Sequence, residues 1–228
     1  SPMQRVQAVV DQCRSTAHSP RELAIALHDV VRDEVLFGFT PYFDAATPER
    51  TLQLGIGHCN PQASLMIALF RTAGFEARLR PATIGNDILR GTADTPARLS
   101  HLFTEVNLEG QWLRLDSYID DPALRRSAID RLRRDGRALG YGCHATATGK
   151  WDGRSNAFSQ VATDSMIYEL HDPVDDLETF FASPAYQHRV GPLRYNTLLM
   201  PTRLIAPIAM RAANLRIERM RVRDLATA

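Results

Sequence analysis

Gly57-His58-Cys59-Asn60-Pro61-Gln62-Ala63-Ser64-Leu65-Met66-Ile67-Ala68-Leu69-Phe70 is the stretch whose reading decides the fold. Gly55 and Gly57 permit a tight turn immediately before the cysteine. Asn60-Pro61 then opens a helix, because proline suits the first helical turn, and Gly74 takes the C′ position that ends it near Ala73. The run from Ala63 to Phe70 is apolar nearly all round, so this helix is expected to be buried on most sides. A cysteine at the first turn of such a helix meets free N–H groups and the positive end of the dipole, both of which favour a thiolate.

On the N-terminal side, residues 4–35 carry a helical pattern. Ser19-Pro20 reads as an N-cap with proline at N1, and Leu23, Ala26, Leu27, Val30, Val31 and Val35 form one stripe. Residues 37–48 read as an aromatic-rich loop, and residues 51–57 as irregular backbone leading to Cys59. On the C-terminal side, Phe75 to Ile84 is strand-like and residues 85–100 form a polar loop.

A hairpin follows. Residues 101–108 alternate, Glu109-Gly110 turns, and residues 111–116 alternate back. A two-residue turn pairs Leu108 with Gln111, Glu105 with Arg114 and Phe103 with Asp116, and the opposite charges at Glu105 and Arg114 support that register. His101, which opens the first strand, and Asp116, which ends the second, become diagonal neighbours within about 7–8 Å. Cys59, His101 and Asp116 are therefore expected to meet as thiol, imidazole and carboxylate. Farther on, Asp121-Pro122 starts a helix to about Arg134, residues 136–153 form a loop, and helices are expected over 175–181 and 204–225, the last basic and amphipathic.

At 228 residues the chain is read as a single domain over 1–228, with a core at about 21–118 and a mostly helical extension over 119–228. The net charge of +1 gives no electrostatic case for nucleic acid or an anionic membrane. Lys150 is the only lysine, which reads as base composition rather than function. No stretch approaches the ~20 apolar residues of a membrane helix, and the N-terminus lacks signal-peptide order, so a cytoplasmic location is expected. Ser1-Pro2 ahead of Met3 reads as an appended remnant, with Met3 as the native start. The three cysteines, Cys13, Cys59 and Cys143, are too few and too widely spaced for a disulfide framework. With no C-x-x-C and no H-E-x-x-H, neither a metal nor a cofactor is expected.

Three blocks carry a family resemblance. Thr51-Leu52-x-x-Gly55-x-Gly57-x-Cys59, with Ala63-x-Leu65 and Ala68-Leu69-Phe70-Arg71-x-Ala73-Gly74-Phe75-x-Ala77-Arg78, resembles the cysteine-helix motif of transglutaminase-like proteins. His101-x-Phe103-x-Glu105-Val106 and Gly110-x-Trp112-x-x-Leu115-Asp116 resemble that family's histidine and aspartate strands. The resemblance covers roughly residues 21–117. It implies an α+β, papain-like fold: N-terminal helices, a buried cysteine-bearing helix packed on an antiparallel sheet, and a helical C-terminal portion. It also implies Cys59 as nucleophile, His101 as base and Asp116 as its orienter.

A free thiol is mostly protonated at neutral pH, and only the thiolate attacks. An imidazole takes the proton and returns it to the leaving group, a role worth about 10²–10⁴-fold, while the carboxylate fixes the imidazole tautomer. The expected reaction is cleavage or transfer of an acyl group at an amide, peptide or thioester bond, by a hydrolase or acyltransferase. One alternative is biosynthetic condensation of an acyl donor with an amine, the donor borne on an acyl carrier protein that docks on the basic helix 204–225. The other is a non-catalytic binding module. Gln53, six residues before Cys59, has the spacing of an oxyanion-hole glutamine in papain-like proteases, although the backbone amides at Cys59 compete for that role. His58 and Trp112 are candidates for lining the substrate cleft. Cys143-His144 is set aside as a thiol–imidazole couple, because adjacent residues rarely face one another.

Overall fold

The computed structural model describes residues 3–92, 97–187 and 206–222. The N-terminal segment forms two helices, α1 (Gln4–Thr16) and α2 (Pro20–Glu34). The break between them falls where Ser19 caps α2, its hydroxyl accepting from the Glu22 amide at 3.1 Å.

The approach to the cysteine is more ordered than expected. Pro48–Leu54 is a helix, α3, capped by Thr47, whose Oγ1 accepts from the Arg50 amide at 3.2 Å. It ends at Gly55, which adopts the left-handed conformation at φ +62°. Ile56–Gly57 (β2) then pairs in parallel with Leu36–Phe37 (β1). Helix α4, Cys59–Thr72, begins at the cysteine itself and buries Leu65, Met66, Ile67, Leu69 and Phe70. The amide of Phe75 donates to Phe70 O at 2.9 Å across Gly74 at φ +97°, closing the helix where the glycine predicts.

Three long strands follow: β3 (Ala77–Gly85), β4 (Arg98–Leu108) and β5 (Gln111–Leu115). The turn residues Glu109 and Gly110 both have positive φ, 54° and 83°, as a two-residue hairpin requires. The register is the expected one, from Leu108↔Gln111 to Glu105↔Arg114, with Arg114 Nε 3.3 Å from Glu105 Oε1. Two details differ. His101 is the fourth residue of β4 rather than its first, opposite Ala82 of β3. Asp116 lies one residue beyond β5, where its amide leaves the ladder and donates to Ala157 O at 3.0 Å.

Helix α5 (Pro122–Asp135) starts at Asp121, whose carboxylate accepts from the Leu124 amide at 3.0 Å, and stops at Gly136, φ +63°. Residues 137–176 are loop and short strand: β6 (Leu139–Gly140), β7 (Cys143–His144) and β8 (Ile167–Leu170). β8 completes an antiparallel sheet of order β5-β4-β3-β8. The C-terminal helices are α6 (Leu177–Ala182), α7 (Pro184–Gln187) and α8 (Ala206–Val222). Of the helix expected over 204–225, residues 204, 205 and 223–225 lie outside the described residues.

The main core lies between α4 and one face of the sheet, joined by α1 and α2; Leu79, Leu102, Val106, Leu113 and Leu115 meet Leu65, Met66 and Leu69 there. Alternation along β4 turns Phe103 to the other face, where it packs with Ala82, Ile84, Ile88 and Val161. Among the described residues, no helix is long and apolar enough to cross a membrane.

Candidate active site

Cys59 is held at the start of α4 by the β-region backbone of His58, the N-cap residue, which makes no side-chain capping bond. Its Sγ donates to Asn60 Oδ1 at 3.6 Å. Burial pushes the thiol up to about 12, and the Asp44 carboxylate adds to that shift. The backbone amides of Asn60 and Cys59 act in the opposite direction, and Asp116 again raises it. The helix start therefore favours the thiolate as the sequence predicts, but burial and two nearby carboxylates outweigh it.

Asp116 is fully buried and His101 nearly so. His101 Nε2 donates to Asp116 Oδ2 at 2.8 Å, which leaves Nδ1 to exchange a proton with another group. Asp116 Oδ1 accepts from the Ser159 amide at 2.5 Å. The Ser159 hydroxyl in turn bonds Asp120 Oδ2. Burial raises the Asp120 carboxyl to about 7; the Ser159 hydrogen bond opposes that rise and the Asp116 charge reinforces it. Tyr118 bonds Thr104 Oγ1 at 2.7 Å, and burial raises its phenol.

The other sequence candidates fall outside this arrangement. Gln53 is exposed on α3, and its Oε1 accepts from Arg50 at 3.1 Å, so it does not fit an oxyanion role. The six-residue spacing treated residues 51–57 as extended loop, whereas α3 turns Gln53 to the solvent side. His58 is buried; its Nε2 donates to Asp44 Oδ1 at 2.7 Å, so it serves the inside of the helix start rather than an open cleft. Trp112 is 37 % exposed near the hairpin tip, with the Arg78 guanidinium 3.8 Å from its ring centroid. In β7, Cys143 is buried and burial raises its thiol, while His144 bonds Thr146 Oγ1 and Phe158 O, so the two do not pair.

Four residues escaped the sequence reading: Asp44, Asn60, Ser159 and Asp120. Asn60 is legible only as a polar residue directly after Cys59 that suits a helix start. Asp44, Ser159 and Asp120 reach the site through tertiary contacts that no local pattern marks. Gln62, also buried, donates from Nε2 to Gly57 O at 2.7 Å and so pins the turn before Cys59. Among the described residues, no group of three or more His, Cys, Asp or Glu could hold a metal ion.

Residues 7–117 match the model of the transglutaminase-like superfamily. The assignment supports a cysteine-type hydrolase or transferase in general. No curated protein matches the chain. Among solved structures, a protein from Cytophaga hutchinsonii provisionally designated a cysteine protease is 17 % identical at a TM-score of 0.40, covering 49 % of this chain and 36 % of its own. A provisionally designated protease from Parabacteroides distasonis is 15 % identical at 0.38, covering 50 % of this chain and 23 % of its own. This chain thus spans well under two thirds of either, and neither likeness bears on the reaction.

Proposed function

We propose that the protein is a transglutaminase-like thiol hydrolase or acyltransferase in which Cys59 is the nucleophile, His101 the general base and acid, and Asp116 the orienting carboxylate. The observation that carries this reading is the buried 2.8 Å bond between His101 Nε2 and Asp116 Oδ2, a carboxylate whose charge also acts on the Cys59 thiol. Asp116 fixes the tautomer, so Nδ1 is the nitrogen that takes the Cys59 proton. The sulfur then attacks the acyl carbon, and the amides of Cys59 and Asn60 serve the oxyanion in place of Gln53. Collapse expels the amine or thiol, which takes the proton from His101, and leaves a thioester on Cys59. Water or an amine, deprotonated by His101, resolves it. The resting thiol bonds Asn60 rather than His101, as suits a hydrogen bond that tightens only with substrate in place.

A carrier-borne acyl donor is a second reading, favoured by α8. Arg211, Arg216 and Arg219 are exposed there, beside Ile208 at 70 % and Leu215 at 51 % exposure. An acidic amphipathic helix would complement that face.

The test is reaction with p-nitrophenyl acetate, following the nitrophenolate burst and mapping the acetyl group by peptide mass spectrometry, with hydroxylamine added to distinguish transfer from hydrolysis. The reading expects a burst and acetyl on Cys59 alone. Acetylation spread over Cys13, Cys59 and Cys143 without a burst would reject it and favour a binding module.

A further inference from the structure

Two carboxylates act on the Cys59 thiol, Asp44 and Asp116, and the proposed triad uses only one. The other is Asp44, 4 % exposed, in the short turn Phe43–Ala45. Its Oδ1 accepts from His58 Nε2 at 2.7 Å and from Asn60 Nδ2 at 3.0 Å. The other end of the Asn60 amide accepts the Cys59 thiol. One chain of hydrogen bonds thus ties both sequence neighbours of the nucleophile, and the nucleophile itself, to a single buried carboxylate.

Ring packing and hydrogen bonds surround Asp44. The His58 ring stacks on Phe43 with centroids 4.4 Å apart and leans on Phe39 at 5.1 Å. The Phe39 backbone is held twice by Asn214 of α8: its N–H donates to Oδ1 at 2.8 Å and its carbonyl accepts from Nδ2 at 2.7 Å. His58 occupies the N-cap position but reaches Asp44 instead of capping α4. Burying an ionisable pair is costly, so its place beside the nucleophile calls for a role.

We propose that Asp44 is a positioning residue for Cys59: through Asn60 it keeps the sulfur as a hydrogen-bonded thiol at the helix start, so that the nucleophile is released only when His101 takes the proton with an acyl donor bound. The inference rests on Cys59 being the nucleophile. The charged or titratable groups that act on the sulfur are Asp44 from the turn, Asp116 just beyond β5 and Tyr118 after it, with His101 the base proposed on Asp116; those around Asp44 are His58 and Cys59. Asp44 opposes what the helix dipole does to a thiol: burial is the first cause that raises Cys59, and the Asp44 charge is the second. The resting enzyme would then be a poor target for small alkylating reagents, which are not acyl donors.

The experiment is the pH dependence of Cys59 alkylation by iodoacetamide, read by peptide mass spectrometry, in wild type, Asp44→Asn, Asn60→Ala and Asp44→Asn combined with His101→Ala. Asparagine keeps the accepting oxygen and the shape, and removes only the charge. We expect Asp44→Asn to raise Cys59 alkylation below pH 8 by about tenfold, as a one-unit fall in the thiol pKa would, with or without His101. Asn60→Ala should shift the profile in the same direction. A profile unmoved by Asp44→Asn, or displaced to higher pH, would overturn the proposal. If Asp44→Asn does not fold, the Asn60→Ala profile decides by the same criterion. A shifted profile without an ester burst would reject the enzyme reading and reduce Asp44 to a group that merely holds the Cys59 thiol; a burst with an unshifted profile would reject the role of Asp44 and leave the enzyme reading standing.

Discussion

Asp116 accepts the Ser159 amide on one oxygen at 2.5 Å while its other oxygen accepts His101 Nε2 at 2.8 Å. The carboxylate is thus fixed from both sides. The second anchor comes from residue 159, outside the segment 7–117 that carries the superfamily match.

That double anchor makes Asp116→Asn informative. The Ser159 amide requires an acceptor at Oδ1, so the new NH2 group falls on the Oδ2 side, facing His101. Nε2 must then accept, and its proton moves to Nδ1, where it blocks transfer from the thiol. We expect a loss of about 10²–10⁴ in the acylation rate, with little change in the thermal midpoint. Calorimetry alongside the burst assay checks both.

Asp120 links the site to pH. Its folded value of about 7 lies above the ordinary 3.8 of an unfolded aspartate. A group raised on folding contributes stability that is complete below the unfolded value and lost as pH rises through the folded one. Wild type should therefore lose stability between about pH 4 and 8. Asp120→Asn should flatten that slope by about 1–4 kcal/mol, at roughly 1.4 kcal/mol per unit. Urea denaturation across that pH range measures it.

Arg221 of α8 bonds Asp121 Oδ2 at 2.7 Å with both partners buried, and it also donates to Phe37 O. Arg221→Ala would leave the Asp121 charge without its counter-ion, at a cost of about 3–5 kcal/mol. The same change should free the loop carrying Phe39, and limited proteolysis would then cut between residues 37 and 43.

Leu65 is fully buried on α4, in the main core against the sheet. Leu65→Ala should cost about 2–5 kcal/mol through lost burial and the cavity left behind. A value near zero in chemical denaturation would mean that α4 does not carry the core.

Much of this was legible in the chain itself. The apolar run 63–70 announced a buried helix, and Glu109-Gly110 set a register that brought Asp116 within reach of His101. Both signals are local, and strong local signals survive folding. The helix that carries Gln53 is masked in the sequence by the glycines at 55 and 57, which suggest loose backbone, although Thr47-Pro48-Glu49 marks a helix start. Asp44 and Ser159 could not be read, since each comes from a separate loop, and Asp120, although only four residues after Asp116, joins the site through the Ser159 hydroxyl. The thiolate expected from the helix dipole was outweighed by tertiary structure, which buries the sulfur and adds the charges of Asp44 and Asp116.

The most direct measurement is the rate of Cys59 acetylation by p-nitrophenyl acetate in wild type and His101→Ala, both shown to be folded by their thermal midpoints. If His101 is the base, the variant should acetylate Cys59 at least about 100-fold more slowly at pH 7. Equal rates in the two proteins would contradict the proposed Cys59–His101–Asp116 mechanism.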